Sequence, residues 1–429
     1  MRKILFPTLI VFALLLSACG TAKGTTTATA VPTAATVATT SPGSPTPTPA
    51  PFTDSQIPCK PFSILDQVLP ASKVKIPDVT SVDWVNGPAD ASATFIVYTD
   101  LQCPFCAEAD PIINAVLKAF PNDVRLVFRH WPLVSLHPNA LQAARAADAA
   151  GKQGKFFEMA DFLFSNQSEW SAKSASDFTT WLNGKAASLG LEPAKFAVDW
   201  NDPAIAQKVS ADQAASDKLG KELSQAYQTG FGTPTLFING SLYSEQRSVE
   251  LLSLVVNLIK NKNTVVQQCP VTIIDPKKDY SATITTTKGD IVIDLLEKIA
   301  PVSVNSFVSL AQGGWFKDNA FFVVRDQFAM TGDKTNTGLG GPGYAFKDEI
   351  DPATTFDKEG VVGVYNFGPG TNGSQFFIIK VPMTALNGRY TVFGVITKGM
   401  EVVKNLALHE TTQGLESADK VLSVTITEK

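Results

Sequence analysis

The sequence predicts a multidomain chain in which an α/β domain with a helical insert precedes a β-rich domain. The chain has 429 residues, whereas single domains usually have about 100 to 200 residues. Hydrophobic residues make up 44% of the composition and charged residues 18%, which is enough apolar material for packed cores. From about residue 279 onward, short apolar strands, turns and glycines replace the helical patterns that precede them.

The charge balance argues against nucleic acid as a partner. The chain has 36 basic and 40 acidic residues, with a formal net charge of -4. Domains that bind nucleic acid usually carry a basic patch or stripe. We therefore exclude that class of function.

The segment 1–19 has the pattern of an export signal. Two basic residues at positions 2–3 precede an apolar run over residues 4–16, which is too short to span a hydrocarbon core of about 30 Å. The run ends in LSAC, which resembles the bacterial lipobox, and the alternative is a plain secretory signal with an incidental cysteine. The resemblance implies a bacterial lipoprotein that is exported and anchored to the outer face of the cytoplasmic membrane through lipidated Cys19.

The next segment, residues 20–58, is predicted to be a disordered tether. It consists almost entirely of Thr, Ala, Pro, Ser, Gly and Val, and it contains the run PTPTPAP at residues 45–51. Such a composition cannot bury enough apolar surface to fold. Its proline-rich end favours an extended conformation, which holds a domain away from the membrane surface.

A CxxC motif follows a predicted strand. The apolar run ATFIVYT at residues 93–99 precedes Cys103 and Cys106, and a helical pattern starts at about residue 104. A helix N-terminus stabilises a thiolate, so Cys103 is the expected nucleophile and Cys106 the resolving thiol. The alternative, half of a zinc site, lacks a second CxxC or a pair of histidines. We therefore predict no metal and no cofactor.

Two stretches resemble the DsbA-like branch of the thioredoxin superfamily: TDLQCPFC at residues 99–106 and GFGTPTLFING at residues 230–240. The resemblance implies a thioredoxin fold with a helical insert at about residues 137–228. It also implies that Thr233 precedes a cis Pro234, which packs against the cysteine pair and receives the substrate backbone. The dipeptide between the cysteines is Pro-Phe instead of the Pro-His of strongly oxidising DsbA proteins. Cys103 is therefore expected to be less acidic than in those proteins, and the direction of electron flow is left open.

The other cysteines suggest a structural disulfide. Of the five cysteines, Cys19 is assigned to the lipid and two form the CxxC, which leaves Cys59 and Cys269. Exported proteins rarely keep unpaired thiols. We expect a bridge that closes a first domain at residues 59–270, and the alternative is two unpaired thiols.

Three motifs in the second domain, residues 275–429, resemble cyclophilins: GLGGPGYAFKDE, GPGTNGSQFFI and NGRYTVFGVITKGMEVV. The resemblance implies a closed eight-stranded barrel of cyclophilin type, with a groove for an X-Pro peptide. By motif position, Gln375 and Asn366 bind the peptide backbone. Phe377 forms the floor of the proline pocket, and Leu386 forms one of its walls.

The groove departs from the family pattern at its catalytic arginine. That position is Phe322 or Val323, depending on where a one-residue gap is placed, and Arg325 lies downstream of it. Ala385 and Tyr390 occupy the positions at which the family has a tryptophan and a histidine in the groove. Because the arginine supplies the main electrostatic stabilisation, we expect impaired turnover with peptide binding partly retained.

Two hypotheses of different classes follow. In the first, both domains are enzymes and catalyse two slow folding steps, disulfide exchange and prolyl isomerisation. In the second, the oxidoreductase is active and the cyclophilin-like domain only binds clients. A third interpretation is a disulfide reductase. The expected partners are unfolded or partly folded secreted proteins and a membrane redox partner for the CxxC pair.

Overall fold

The computed structural model describes residues 58–262, 268–409 and 415–429. The predicted signal peptide, Cys19 and the tether up to residue 57 lie outside the described residues. The chain divides into two compact units. The first unit contains residues 63–262 and 335–340, and the second unit contains residues 58–62, 268–334, 341–409 and 415–429. Within the described residues, no helix combines the length and the apolar character that crossing a bilayer requires.

The described chain begins with strand β1 (Cys59–Pro61), which belongs to the second unit. The elements of the first unit follow: α1 (Ile64–Val68), β2 (Trp84–Asn86), β3 (Ala93–Thr99), α2 (Pro104–Ala119), β4 (Val124–His130), α3 (Ala140–Gly151), α4 (Phe156–Ser165), α5 (Gln167–Trp170), α6 (Ala175–Lys185), α7 (Pro193–Trp200), α8 (Pro203–Tyr227), β5 (Thr235–Ile238), β6 (Ser241–Tyr243) and α9 (Val249–Lys260).

The sheet of the first unit has the strand order β2-β4-β3-β5-β6. Strand β3 is parallel to β4 and antiparallel to β5. It lies at the centre of the sheet, and six of its seven residues are buried, as expected for an apolar run covered on both faces. The segment after β3 therefore begins at the end of a buried central strand. Its first residue is Asp100, and the CxxC motif starts three residues later at Cys103.

The helical insert predicted for residues 137–228 contains six α-helices, α3 to α8, within that fully described stretch. The carboxylate of Asp148 in α3 anchors the insert to the sheet. This carboxylate accepts a 2.5 Å hydrogen bond from Trp84 and lies 3.1 Å from His130. Lys208 of α8 contacts the same carboxylate at 3.0 Å. Burial alone would raise the pKa of Asp148, but His130 and Lys208 lower it to about 2. The charge of Asp148 is therefore compensated inside the protein.

The elements of the second unit that follow β1 are β7 (Tyr280–Thr286), β8 (Gly289–Leu295), α10 (Pro301–Gln312), β9 (Val323–Val324), β10 (Phe328–Thr331), β11 (Tyr344–Phe346), β12 (Val361–Val364), β13 (Phe376–Ile379), β14 (Val392–Lys398), α11 (Met400–Lys404) and β15 (Val421–Glu428).

The main sheet of the second unit is not closed as a continuous ladder. Its order is β15-β7-β8-β14-β12-β13-β10-β9, so among the described residues β15 and β9 are edge strands. This corrects the expected closed barrel to a curled sheet. Strand β9 has two residues, which offer too few backbone groups for a ladder with β15. An isolated bridge between Ala320 and Lys420 links the segments in front of these strands.

The disulfide between Cys59 and Cys269 is present, with a Cα–Cα distance of 5.9 Å, but it does not close the first unit. Strand β1 pairs antiparallel with β11 of the second unit, and both cysteines pack against the cluster of Val302, Tyr344 and Phe346. The expected boundaries 59–270 are therefore wrong, because both cysteines belong to the second unit. The physical reason is that a three-residue strand needs a partner, and β11 supplies it.

Candidate functional site

The thiol site begins where a strand passes into a helix. Cys103 is the N-cap residue of α2, with extended backbone angles, and Pro104 occupies the first helical turn. Proline suits this position because its missing N–H would have no partner within the helix. Both Cys103 and Cys106 are buried free thiols, and the Phe105 side chain between them is 64% exposed. The site is therefore accessible at its rim.

Cys103 is the acidic thiol of the pair. A hydrogen bond from the Cys106 side chain lowers the pKa of Cys103 to about 6, although burial acts in the opposite direction. The backbone N–H groups of Cys106 and Phe105 also contribute to this low pKa, as expected at a helix N-terminus. The value lies above the pKa of about 3.5 of the strong oxidant DsbA. Cys103 is nevertheless largely a thiolate at neutral pH.

Cys106 has the opposite character. Burial and the neighbouring Cys103 raise the pKa of Cys106 well above its ordinary value. Its sulfur accepts a hydrogen bond from the backbone N–H of Asp100 at 3.5 Å. An acidic thiol beside a weakly acidic one is the arrangement that thiol–disulfide exchange requires.

The loop before β5 brings the two distant sequence motifs together. The peptide bond between Thr233 and Pro234 is cis. The Thr233 carbonyl oxygen lies 3.5 Å from the Cys103 sulfur, and Pro234 lines a small cavity together with Cys106. The four residues assigned to this site from the sequence therefore lie side by side.

The same cavity contains a carboxyl group that the sequence analysis did not identify. Asp110 lies one helical turn after Cys106 and lines the cavity. Burial, together with the charge of Asp161, raises the pKa of Asp110 to about 7. The i, i+4 spacing from Cys106 in a predicted helix was the available signal. Among the described residues, no group of three or more His, Cys, Asp or Glu is arranged to hold a metal ion.

An apolar pocket that is open to solvent marks the second site. Phe377 forms part of its wall and stacks on Phe356 at 5.4 Å between ring centroids. A Cβ atom at Gly363 would lie 2.6 Å from the Phe377 ring, so glycine is required for this packing. None of the described residues that line the pocket is charged: Phe328, Met330, Tyr365, Phe377, Met383, Leu386 and Tyr390.

The groove residues assigned from the sequence divide into two pairs. Phe377 and Leu386 line the pocket, whereas Asn366 and Gln375 are buried outside this lining. The Asn366 amide donates to Asp348 at 2.9 Å and to Asn372 at 3.0 Å. Asn366 therefore holds the adjacent loop. Phe328, Tyr365 and Met383 also line the pocket. Their sequence pattern does not indicate this role, since aromatic and methionine side chains are more often core.

Strand register decides which residue takes the place of the family's arginine. Val323 pairs with Met330, and Met330 pairs with Phe377, in a row across β9, β10 and β13. Side chains of directly paired residues point to the same face of a sheet. Because Met330 and Phe377 line the pocket, Val323 is the residue on the pocket face. Arg325 is not among the lining residues, and its backbone N–H closes the turn between β9 and β10.

Two family models match this chain. Residues 80–257 match a model described as Thioredoxin, and residues 281–428 match a model described as Cyclophilin type peptidyl-prolyl cis-trans isomerase/CLD. The matched ranges correspond to the first and second units and contain the thiol site and the apolar pocket, respectively.

Three individual proteins give the extent of the similarity. The chain is 39% identical over 170 residues to peptidyl-prolyl cis-trans isomerase A of Mycobacterium tuberculosis, covering 35% of this chain and 93% of that protein. It is 37% identical over 174 residues to the Na(+)/H(+) antiporter NhaA 1 of Salinispora arenicola, covering 41% of this chain and 24% of the antiporter. This chain thus spans about a quarter of the antiporter's length. A crystal structure of a cyclophilin type peptidyl-prolyl cis-trans isomerase from Cryptosporidium parvum is 28% identical, with a TM-score of 0.33, and the match covers 35% of this chain and 99% of that one.

Proposed function

Since this chain belongs to the cyclophilin-type peptidyl-prolyl cis-trans isomerase family and carries a thioredoxin-like domain before it, we propose that it is an extracytoplasmic protein-folding factor. In this proposal the first unit exchanges thiols and disulfides with client proteins, and the second unit binds and isomerises X-Pro segments. Both reactions are slow steps of folding. Their combination in one chain serves clients that need both.

The observation that carries the redox part is the pairing of two thiols of opposite acidity at one helix N-terminus. Cys103, with a pKa of about 6, supplies the thiolate that attacks. Cys106, whose pKa burial raises, completes the exchange from inside the protein. The same two residues serve oxidation, isomerisation or reduction, and the partner's potential sets the direction.

The isomerase part rests on the family and on the apolar pocket. A proline ring buried against Phe377 loses water from around its amide, which weakens amide resonance and lowers the barrier of about 18 to 20 kcal/mol. A client-binding domain with little turnover is the second candidate, because Val323 stands on the pocket face where the family has an arginine. In that candidate the pocket holds proline segments while the first unit acts on cysteines nearby in the client sequence.

The location and partners are also part of this proposal. The lipobox-like LSAC at residues 16–19 supports a lipid on Cys19 and an anchor on the outer face of the bacterial cytoplasmic membrane. The clients are then unfolded or partly folded secreted proteins. A membrane redox partner restores the Cys103–Cys106 couple after each turnover.

One experiment with the full chain tests both activities at once. Cys103→Ser is expected to abolish oxidation of a reduced model protein and leave proline-limited refolding catalysis unchanged, because exchange needs the attacking thiolate. Phe377→Ala is expected to do the reverse and to weaken binding of a proline peptide about tenfold or more, because it removes the pocket's aromatic wall.

The matched variant Cys106→Ser should trap mixed disulfides with a model protein that carries disulfides. The Cys103 thiolate attacks a client disulfide, one client sulfur leaves as a thiolate, and the thiol that would release Cys103 is missing. Oxidation by Cys103→Ser at the wild-type rate would contradict the site assignment. Unchanged peptide affinity in Phe377→Ala would contradict the pocket assignment.

A further inference from the structure

Asp100 is a buried acidic residue beside the thiol site that the proposed reaction does not use directly. It follows β3, and 1% of its surface is exposed. One carboxylate oxygen accepts the backbone N–H of Gln102 at 2.7 Å. The other accepts the backbone N–H of Leu133 at 2.8 Å and lies 2.7 Å from Nδ1 of His137. The carboxylate is therefore held from three sides.

The backbone of the same residue touches both cysteines. The N–H of Asp100 donates to the Cys106 sulfur at 3.5 Å, and its carbonyl oxygen accepts the N–H of Cys103 at 3.0 Å. The orientation of Asp100 thus sets the position of the donor that faces the Cys106 sulfur. A donor aimed at a sulfur stabilises negative charge on that sulfur.

His137 reaches Asp100 from the loop between β4 and α3. Its backbone N–H donates to the Leu133 carbonyl at 2.9 Å, so this turn delivers two donors to one carboxylate oxygen, the Leu133 N–H and the imidazole ring. Because an ionised carboxylate can only accept hydrogen bonds, Nδ1 carries the hydrogen in this contact. The His137 side chain is 17% exposed, so its ring is largely enclosed by protein.

We propose that His137 is a positioning residue for thiol exchange, which acts through the Asp100 carboxylate to keep the Asp100 N–H on the Cys106 sulfur. This inference rests on the proposed redox function of the first unit. When a client thiolate attacks the Cys103 sulfur, a client–Cys103 bond forms, the Cys103–Cys106 bond breaks, and its electron pair stays on the Cys106 sulfur. In the reverse step, the Cys106 thiolate attacks Cys103 and the client sulfur leaves with the electron pair. Cys106 carries the charge in both directions, so the positioning applies to either direction of electron flow.

A two-phase reaction with 5,5′-dithiobis(2-nitrobenzoate) separates the two thiols in the reduced full chain. In the first phase the Cys103 thiolate displaces one thionitrobenzoate and forms a mixed disulfide. In the second phase Cys106 attacks that disulfide and releases the other thionitrobenzoate. His137→Phe, which keeps a ring but lacks the donor, is expected to slow the second phase about tenfold and to change the first phase much less.

His137→Asn retains an amide donor near the position of Nδ1 and is expected to restore most of the second-phase rate. The matched control is Leu136→Asn, at the neighbouring side chain that is 70% exposed, and it should leave both phases unchanged. If His137→Phe does not fold, His137→Ser, whose side chain is too short to reach Asp100, carries the same test. A merely structural role would lower the melting temperature without a selective loss of the second phase.

The outcomes distinguish the two proposals. If the wild-type chain shows no second phase, the proposed redox function fails. If the wild-type chain shows both phases and folded His137→Phe, or His137→Ser in its place, resolves at the wild-type rate, the positioning role fails and the redox function stands.

Discussion

At the scale of single residues, two cysteines separated by two positions have very different acidities. Cys103 is the N-cap residue of α2, where backbone N–H groups and the Cys106 thiol face its sulfur. Cys106 lies one turn deeper, where desolvation dominates. The exposed Phe105 side chain adds no polar hydrogen bond, but its backbone N–H contributes to the low pKa of Cys103. The acidity of the nucleophile is therefore a property of helix position more than of the intervening side chain.

We predict that the rate at which iodoacetamide alkylates Cys103 in the reduced protein rises with pH around a midpoint of about 6. Only the thiolate reacts, so the midpoint reports the pKa of this residue. Cys106→Ala should move the midpoint upward, since the Cys106 hydrogen bond is the largest cause of the low value. The same midpoint in both proteins would contradict this origin.

The stability of the reduced protein follows with a defined sign. The pKa of Cys103 is about 6 in the folded protein, against 9.0 for an ordinary cysteine. A depressed pKa stabilises the folded state above the unfolded pKa, and this contribution is lost as the pH falls through about 6. Urea unfolding of the reduced protein should therefore show a rise in stability from pH 6 to 9 that Cys103→Ala lacks.

At the scale of elements, β9, β10 and β13 together define the pocket face of the second unit. Alternate residues of these strands lie in different clusters: Ala329 and Ile378 pack in the central core, whereas Met330 and Phe377 pack around the pocket. This is the two-residue period of a strand. Of the two residues of β9, Val323 shares its face with Met330 and Phe377 through the strand register. A substitution of Val323 therefore acts on the pocket.

We predict that Val323→Arg raises isomerase activity about tenfold or more, because a guanidinium on the pocket face stabilises the twisted amide more than the planar one. The measurement is proline-limited refolding of a model protein by the full chain. The matched control is Phe322→Arg at the preceding position, which is 1% exposed. It should lower the melting temperature because it buries a charge without a partner.

If folded Val323→Arg and the unmodified chain had equal turnover, the missing arginine would not be what limits isomerase activity. Turnover typical of the family in the unmodified chain would lead to the same conclusion.

At the scale of the whole molecule, the chain enters the second unit through β1, forms the first unit, and returns to the second unit at Cys269. The disulfide joins residues 210 positions apart in sequence. A disulfide stabilises a protein mainly by lowering the conformational entropy of the unfolded chain. The loop that this disulfide closes contains the first unit. Where that unit stays folded while the second unit unfolds, the loop is not a flexible chain, so the stabilisation falls below the several kcal/mol expected for a flexible loop of that length. The main effect of the disulfide is to hold β1 against β11.

We predict that Cys59→Ser or Cys269→Ser lowers the melting temperature of the second unit and leaves that of the first unit unchanged. Loss of isomerase activity and loss of thiol exchange during heating report the two units separately. The control is Leu136→Asn at an exposed side chain of the first unit, which should leave both melting temperatures within a few degrees of the wild-type values. Labelling of free thiols in the denatured oxidised protein should detect neither Cys59 nor Cys269.

If the substitutions at Cys59 and Cys269 destabilised the first unit alone, the disulfide would belong to the domain that the sequence analysis assigned to it. Free Cys59 or Cys269 in the labelling experiment would mean that the bridge does not form.

The sequence by itself determined the features that depend on near neighbours or on motifs of several residues. A strand followed by Cys103 and Pro104 predicted the start of α2, because helix termini are set by local backbone chemistry. The Thr-Pro step at residue 233 and the motif around Phe377 identified two sites far apart in the chain. The sequence also predicted the pairing of Cys59 with Cys269, since few cysteines were left to pair.

Only the tertiary structure decided which unit holds that disulfide. It also decided which of Phe322 and Val323 faces the pocket, and it placed Asp110 and His137 beside the thiol site. Each of these depends on pairing between segments distant in sequence, which local pattern does not encode. A shift of one residue in strand register exchanges the two faces of β9, and a three-residue strand such as β1 gives no sign of its partner. Long-range hydrogen bonds and side-chain packing settle such choices when the chain folds.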